Sequence, residues 1–249
     1  MIVYLAGDVF GKEVFNDYDY NFNRLDSYYY LQSNKYMIEK IPLYKNYLLD
    51  SGAFTFIMAK KNIKIDIDSY TDKYIDFIIE NKINNFFEMD VDKIFGYEKV
   101  KQLRNRIESK TGKRVIPVFH KNRGIDDWNE MIKDYKYISI GIAGKDVSWG
   151  DHKTFLKFVN NAKEQNCKVH GLGITGMKTL EKVPFYSVDS SSWTAGNRYK
   201  CIFKFDGNKI KTIKIDLTNK RIHNHIKLAK YNFNQWNEFS KSMSNKIII

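Results

Sequence analysis

Seven short apolar runs recur along the chain, each followed by an amphipathic stretch, and this alternation narrows the fold more than any other feature. An apolar run followed by an amphipathic helix is the sequence form of a β-α unit, whose strands lie parallel because the helix carries the chain back to the starting edge. Strands are predicted at Ile2 to Ala6, Tyr47 to Asp50, Asn85 to Asp90, Arg114 to His120, Tyr137 to Gly141, Lys168 to Gly173 and Tyr186 to Asp189. Between them Tyr70, Tyr74, Phe77 and Ile78 share one helical face, as do Val100, Leu103 and Ile107, and such faces cover a sheet. At 249 residues the chain has the length of a one-domain barrel, so the expected class is α/β, a TIM-like (β/α) barrel. Closure needs an eighth strand, expected in the Tyr-rich segment Ser27 to Tyr47. An open doubly wound sheet is the alternative.

After Arg198 the pattern changes. CIFKFDGNKIKTIKI reads as a hairpin turning at Asp206-Gly207-Asn208, and a long helix follows with Ile222, Ile226, Ala229, Phe233, Trp236 and Met243 along one stripe. The expected organisation is a catalytic barrel over residues 1–198 and a basic hairpin-helix extension, 199–249, packed on it. That extension holds eleven Lys or Arg against three Asp or Glu, most of the chain's net charge of +12. Such charge attracts polyanions, and it equally suits a solvated helix face. Hydrophobic residues at 43% and charged residues at 28% exclude a disordered chain. Cys167 and Cys201 are too few and too far apart for a structural zinc, and no metal or other cofactor is expected. The opening MIVYLAGDVFGKEV is too short an apolar run for a signal peptide, and no stretch approaches a membrane span. The expectation is a soluble protein of a reducing cytoplasm, that of the host where a phage carries the gene.

In β/α folds ligands bind where strands end, so polar residues at strand C-termini are the informative ones. Here the runs finish in Asp50-Ser51-Gly52-Ala53-Phe54, Glu88-Met89-Asp90-Val91-Asp92, Phe119-His120, Gly141-Ile142-Ala143-Gly144, His170-Gly171-Leu172-Gly173 and Asp189-Ser190-Ser191-Ser192-Trp193. Each has a structural reading: Asp50 and Asp189 as helix caps, Asp90 with Asp92 as a cap and a surface charge or as paired magnesium ligands, His120 as a satisfied buried histidine, the glycines as tight turns. Their coincidence at one mouth favours function. A carboxylate such as Asp90 offers two acceptors that match the N1–H and N2–H donors of guanine, and Gly141 to Gly144 let backbone approach a flat base. Two further carboxylates would divide glycosidic chemistry between nucleophile and proton carrier. Phe54 and Trp193 are candidates to stack on the base.

LDSGAF, FFEMD, GIAG, VHGLGI and VDSSSWTAGNR, in this order, resemble the tRNA-guanine transglycosylase superfamily, whose members carry DSGGFQ, an FDE-type strand, a GLAxGE turn, an MGVG turn and an FDCVxPTR strand. The resemblance spans about residues 47 to 198. FFEMDVD, IPVFH and VDSSSW look closer still to its phage branch, the deoxypurine-in-DNA protein A group, which exchanges guanine in DNA for a 7-deazaguanine. The resemblance implies that Asp50 is the general acid/base, Asp90 the base-reading residue and Asp189 the nucleophile. A base-contacting glutamine of the family falls near His120, and the GLA turn falls on Gly141, Ile142 and Ala143. Ser51, Gly52, Phe54 and Gly173 complete the implied base-binding set. Two departures stand out. The zinc subdomain that follows the nucleophile in the tRNA enzymes is replaced by the basic hairpin and helix, so Lys209, Lys211 and Lys214 are expected on a DNA backbone. The proline-threonine-arginine after the nucleophile becomes Ser192-Trp193-Thr194, leaving Arg198 as the nearest phosphate contact.

The expected function is therefore exchange of guanine in nucleic acid, DNA rather than tRNA, for a 7-deazapurine through a covalent glycosyl-aspartate. The alternatives are an N-glycosylase or nucleosidase using water, a tRNA-type transglycosylase, a magnesium hydrolase built on Asp90 and Asp92, and a non-catalytic nucleic-acid-binding barrel.

Overall fold

The structure, a computed structural model, describes residues 1–8, 11–15, 20–53, 55–56, 66–141, 152–215 and 224–245. Seven parallel strands form one sheet that curls into a half-barrel: β1 Ile2–Ala6, β2 Asn23–Ser27, β3 Asn46–Asp50, β4 Val118–Phe119, β5 Tyr137–Gly141, β6 Lys168–Leu172 and β7 Ser187–Ser190, in the order β3-β2-β1-β7-β6-β5-β4. An antiparallel hairpin follows, β8 Cys201–Phe205 and β9 Ile210–Lys214. The longer helices are α1 Ile67–Glu80, α2 Tyr97–Thr111, α3 Ile125–Asp134, α4 His152–Glu164 and α5 His225–Asn245. Among the described residues no helix is long and apolar enough to cross a membrane.

Side chains alternate across each strand with period two, which gives the sheet two apolar layers. Tyr4, Ala6, Leu25, Leu48, Phe87, Ile116 and Val118 meet inside the curl. Val3, Leu5, Leu49, Phe86, Val115 and Phe119 face the other way, into the larger core shared with the helices. The predicted helical faces are buried there: Tyr70, Tyr74, Phe77 and Ile78 on α1, Val100, Leu103 and Ile107 on α2.

Three expectations need correction. The segment between Ser27 and Tyr47 holds the helical turns Tyr28–Leu31 and Lys35–Ile38 and the 3-10 turn Ile41–Leu43, and the additional strand is β2, immediately before it. β2 escapes an apolar reading because Arg24 and Asp26 occupy its outward positions: they pair inside the core, with Arg24 Nε donating to Asp26 Oδ1 (2.7 Å) and Nη1 to Gly7 O (2.8 Å). Removing one partner of such a pair strands a buried charge, at about 3–5 kcal/mol. The run Asn85 to Asp90 contributes only Phe86 and Phe87, which bridge Leu49 and Ile116 respectively; beyond them Val91 N turns back to Met89 O (3.0 Å), ending the extended stretch. On α5, Ala229, Phe233, Trp236 and Met243 are buried as expected, while Ile226 stands exposed in the first turn, ahead of where the helix meets the sheet. Ile222 lies outside the described residues.

Helix α5 runs antiparallel to β1. Its Phe233 ring packs on Trp193 (5.2 Å), whose Nε1 donates to Ala6 O (2.7 Å), while Ser240 Oγ donates to Val3 O (2.7 Å) and the Met1 amino group to Met243 O (3.2 Å). The hairpin lies along this helix, with Phe203 N donating to Asn232 Oδ1 (2.9 Å) and Phe205 N to Gln235 Oε1 (2.8 Å).

Candidate active site

A cleft of about 370 Å³ opens at the strand C-terminal face, lined by Asp50, Ser51, Gly52, Glu88, Asp90, Gly141, Gly173 and Asp189. Its volume is that of a small-molecule site. Residues far apart in sequence meet here because parallel strands all end on one side.

Asp50 ends β3 and the chain turns sharply after it. Gly52 adopts φ +64°, and a Cβ there would lie 2.6 Å from Ser27 Oγ and 2.7 Å from Tyr29, so the turn requires glycine. Gly52 N then donates to Asp50 Oδ2 (2.9 Å), and Tyr70 from α1 pins the turn through its hydroxyl to Ser51 O (2.8 Å). Burial pushes the Asp50 carboxyl up to about 6, opposed by the Gly52 N–H and helped by the negative charges of Asp189 and Asp90.

Asp189 sits on β7, and both of its donors fall on one oxygen: Gly173 N (2.6 Å) and His170 Nε2 (3.2 Å) converge on Oδ1. His170, from β6, is completely buried, and its Nδ1 meets Ser187 Oγ (2.7 Å).

Asp90 is backed by His120, whose Nε2 lies 2.7 and 2.9 Å from its two oxygens. His120 is itself buried behind Gly141, where a Cβ would come within 2.6 Å of its Cε1; glycine at 141 makes room for the ring. His120 thus orients Asp90 from behind. Asp90, Asp92 and His120 bring potential ligand atoms within 4.8 Å of one another. A cation is already among them: Arg123 Nη2 lies 3.0 Å from Asp92 Oδ2 and 3.7 Å from Asp90 Oδ1. A magnesium ion held between these carboxylates would face that guanidinium at close range, which disfavours the hydrolase reading. On the floor Glu88 is completely buried, accepts from Val118 N (2.7 Å) and pairs with Arg104 Nε (2.7 Å); burial pushes its carboxyl up against the pull of Arg104 and Arg123.

Of the expected base-binding residues, Asp90, Ser51, Gly52, Gly141 and Gly173 line the cleft and His120 lies behind it. Phe54, Ile142 and Ala143 fall outside the described residues. Trp193 is completely buried between Phe15 and Phe233 and belongs to the core, so it is not a stacking platform. His170, Arg123 and Glu88 received no role from sequence. For His170 and Glu88 the signal was polarity beside apolar neighbours; Arg123, in the 3-10 turn Lys121–Arg123, gave none.

The basic residues divide by position. Arg198 is exposed on the helical turn Gly196–Tyr199 that follows the mouth, and Lys214 is paired in register with Cys201, level with Asn232. The hairpin tip at Lys209 extends past Phe205, whose ring contacts Phe239. Asn232 and Phe239 are seven positions apart on the helix, so the tip lies about 10 Å further from the mouth. Lys211 is exposed but already pairs with Asp206 (2.8 Å). No protein-family model and no curated protein matches the chain.

Proposed function

We propose that this chain is a nucleic-acid guanine transglycosylase that exchanges guanine in DNA for a 7-deazapurine. The observation that carries the reading is the convergence of Asp50, Asp90 and Asp189 from three strand ends on one cleft, with Asp50's carboxyl pushed up to about 6. Carboxylates in unlike environments divide acid and nucleophile roles. The same positions carry the resemblance to the tRNA-guanine transglycosylase superfamily and its DNA-modifying phage branch. In this reading the half-barrel is a closed (β/α) barrel whose eighth stave is Phe86-Phe87, supported by their bridges to Leu49 and Ile116.

Asp189 Oδ2 attacks C1′ as the C1′–N9 bond breaks; the bonding pair leaves with guanine, which takes a proton from Asp50. The incoming base then attacks C1′ through N9 and passes its N9 proton to Asp50, and the C1′–Oδ2 pair returns to Asp189. Neither metal nor organic cofactor enters this cycle. A duplex target must leave the stack for its C1′ to be reached. The test is nucleoside analysis of DNA and tRNA incubated with the protein and labelled guanine or 7-deazaguanine. Label is expected in DNA; release of guanine without incorporation would assign a glycosylase, and the absence of both release and incorporation would overturn the proposal.

Asp90 selects the base. Asp90→Ala is expected to raise KM for guanine-like bases about tenfold to a few hundredfold, the worth of a hydrogen-bonded pair in a buried site, and to leave the weak competition by adenine unchanged. Equal losses for both bases in a competition assay would point to a structural role.

The basic extension 199–249 is proposed to hold the DNA backbone. Each phosphate that the protein no longer neutralises should flatten the slope of log K against log salt by about 0.9 on duplex DNA. Arg198→Gln with Lys214→Gln is expected to flatten it, and Lys209→Gln with Lys211→Gln to do so less, because the latter pair lies further down the hairpin. Salt titrations of wild type and both double variants check this ranking; the reverse order, or tighter binding to folded tRNA than to DNA, counts against it.

A further inference from the structure

Behind Asp189 the interior of the sheet carries a polar chain, Tyr137, Ser187 and His170, that the proposed cycle does not use. Tyr137 Oη lies 2.6 Å from Ser187 Oγ, Ser187 Oγ 2.7 Å from His170 Nδ1, and His170 Nε2 3.2 Å from Asp189 Oδ1. These residues come from β5, β6 and β7, and His170 and Ser187 are completely buried among Tyr4, Phe87 and their neighbours. A carboxylate only accepts, so Nε2 carries the proton. In a neutral ring Nδ1 is then an acceptor, Ser187 must donate to it, and Tyr137 must donate to Ser187. With His170 neutral, the four hydrogen-bonding groups admit one direction, Tyr137 to Ser187 to His170 to Asp189. The ring packs against Tyr4 (6.1 Å) and Phe87 (5.3 Å), tilted to both.

We propose that His170 is the positioning residue of the nucleophile: held as its Nε2–H tautomer by Ser187, it fixes Asp189 Oδ1 together with Gly173 N and leaves Oδ2 as the attacking oxygen. This rests on the transglycosylase reading. Once Oδ2 is bonded to C1′, Oδ1 is the ester carbonyl oxygen and keeps both donors. As the incoming base's N9 displaces Oδ2 from C1′, the bonding pair returns to the carboxylate, and the two donors stabilise the charge that reappears. A hydrogen-bonded carboxylate is a weaker base and a better leaving group, so loss of His170 slows breakdown of the adduct more than its formation.

The experiment combines a tautomer measurement with steady-state trapping. Nitrogen-15 NMR of histidine-labelled protein, with the His170 signals assigned by their loss in His170→Gln, should show a protonated Nε2 and a bare Nδ1 at neutral pH. In base exchange on guanine-containing DNA, His170→Phe should lower kcat by about 10- to 100-fold, the usual cost of removing an orienting partner, with KM for guanine unchanged. The covalent protein–DNA adduct, trapped by denaturation, should meanwhile occupy a larger share of the enzyme. His170→Gln, whose amide can donate where Nε2 stood, should recover most of the rate. An Nδ1–H tautomer would overturn the inference, as would adduct and exchange falling in parallel or both staying at wild-type level. If the wild-type protein forms no adduct and exchanges no base, the transglycosylase reading fails, and the tautomer alone decides whether His170 serves Asp189.

Discussion

Asp189→Asn is expected to abolish base exchange, by about 10⁴-fold or more, while leaving the protein folded and able to bind DNA. The reason is local. Both donors on this side chain converge on Oδ1, and an asparagine keeps that oxygen, so Gly173 N and His170 Nε2 retain their acceptor. The change falls on Oδ2, which becomes an amide nitrogen with no free lone pair to attack C1′. Wild-type protein mixed with DNA in the absence of incoming base should yield a denaturation-stable adduct one guanine lighter than the sum of its parts, visible by mass spectrometry, and the asparagine variant should yield none. An unchanged melting temperature would locate the loss in chemistry. Turnover near wild type in Asp189→Asn would remove this residue from the mechanism and transfer the burden to Asp50 or Asp90.

The parts of this site that sequence made legible are those governed by chain direction. Parallel strands must end on one face, so Asp50, Asp90, Gly141, Gly173 and Asp189 could be assigned to one mouth without knowing any distance. Helical faces and the Asp206-Gly207 turn were equally readable, because their periods and φ demands are local. Properties that depend on which strand lies beside which were hidden. Arg24 and Asp26 look like loop residues until β2 is seen to turn them into the core against each other. Ser139, His170 and Ser187 alternate with apolar neighbours as solvent-facing residues would; only the curl of the sheet converts that outer-looking face into an interior where they are completely buried. The hairpin lysines were grouped by charge alone, whereas the path of the hairpin along α5 puts Lys214 near the mouth and Lys209 away from it.

The Asp50 carboxyl, pushed up to about 6 by burial, makes the second large prediction one about pH. In the unfolded chain this group titrates near its ordinary value of 3.8, so between roughly pH 4 and pH 6 the folded protein holds a proton that the unfolded one has lost. The resulting stability is fully present below pH 4 and is lost as pH rises through 6, amounting to up to about 3 kcal/mol less what solvent in the open cleft returns. Asp50→Asn should therefore melt higher than wild type at pH 7 and show a smaller decline in stability between pH 4 and pH 6. In the proposed cycle the same proton is the one that departing guanine takes. Single-turnover formation of the adduct should fall as pH rises above about 6 in the wild type, and Asp50→Asn should be slower by about 10²- to 10⁴-fold at pH 6 with that pH limb flattened. A nucleobase whose anion leaves without protonation should escape most of this penalty. Chemical denaturation across pH, paired with the single-turnover profile, separates the two effects: a variant that is stabilised at pH 7 yet slow places the strain and the acid in one carboxylate, as expected where a buried charge is kept for chemistry. A variant no more stable than wild type, with its pH limb intact, would assign both the loss of stability through pH 6 and the proton to another group.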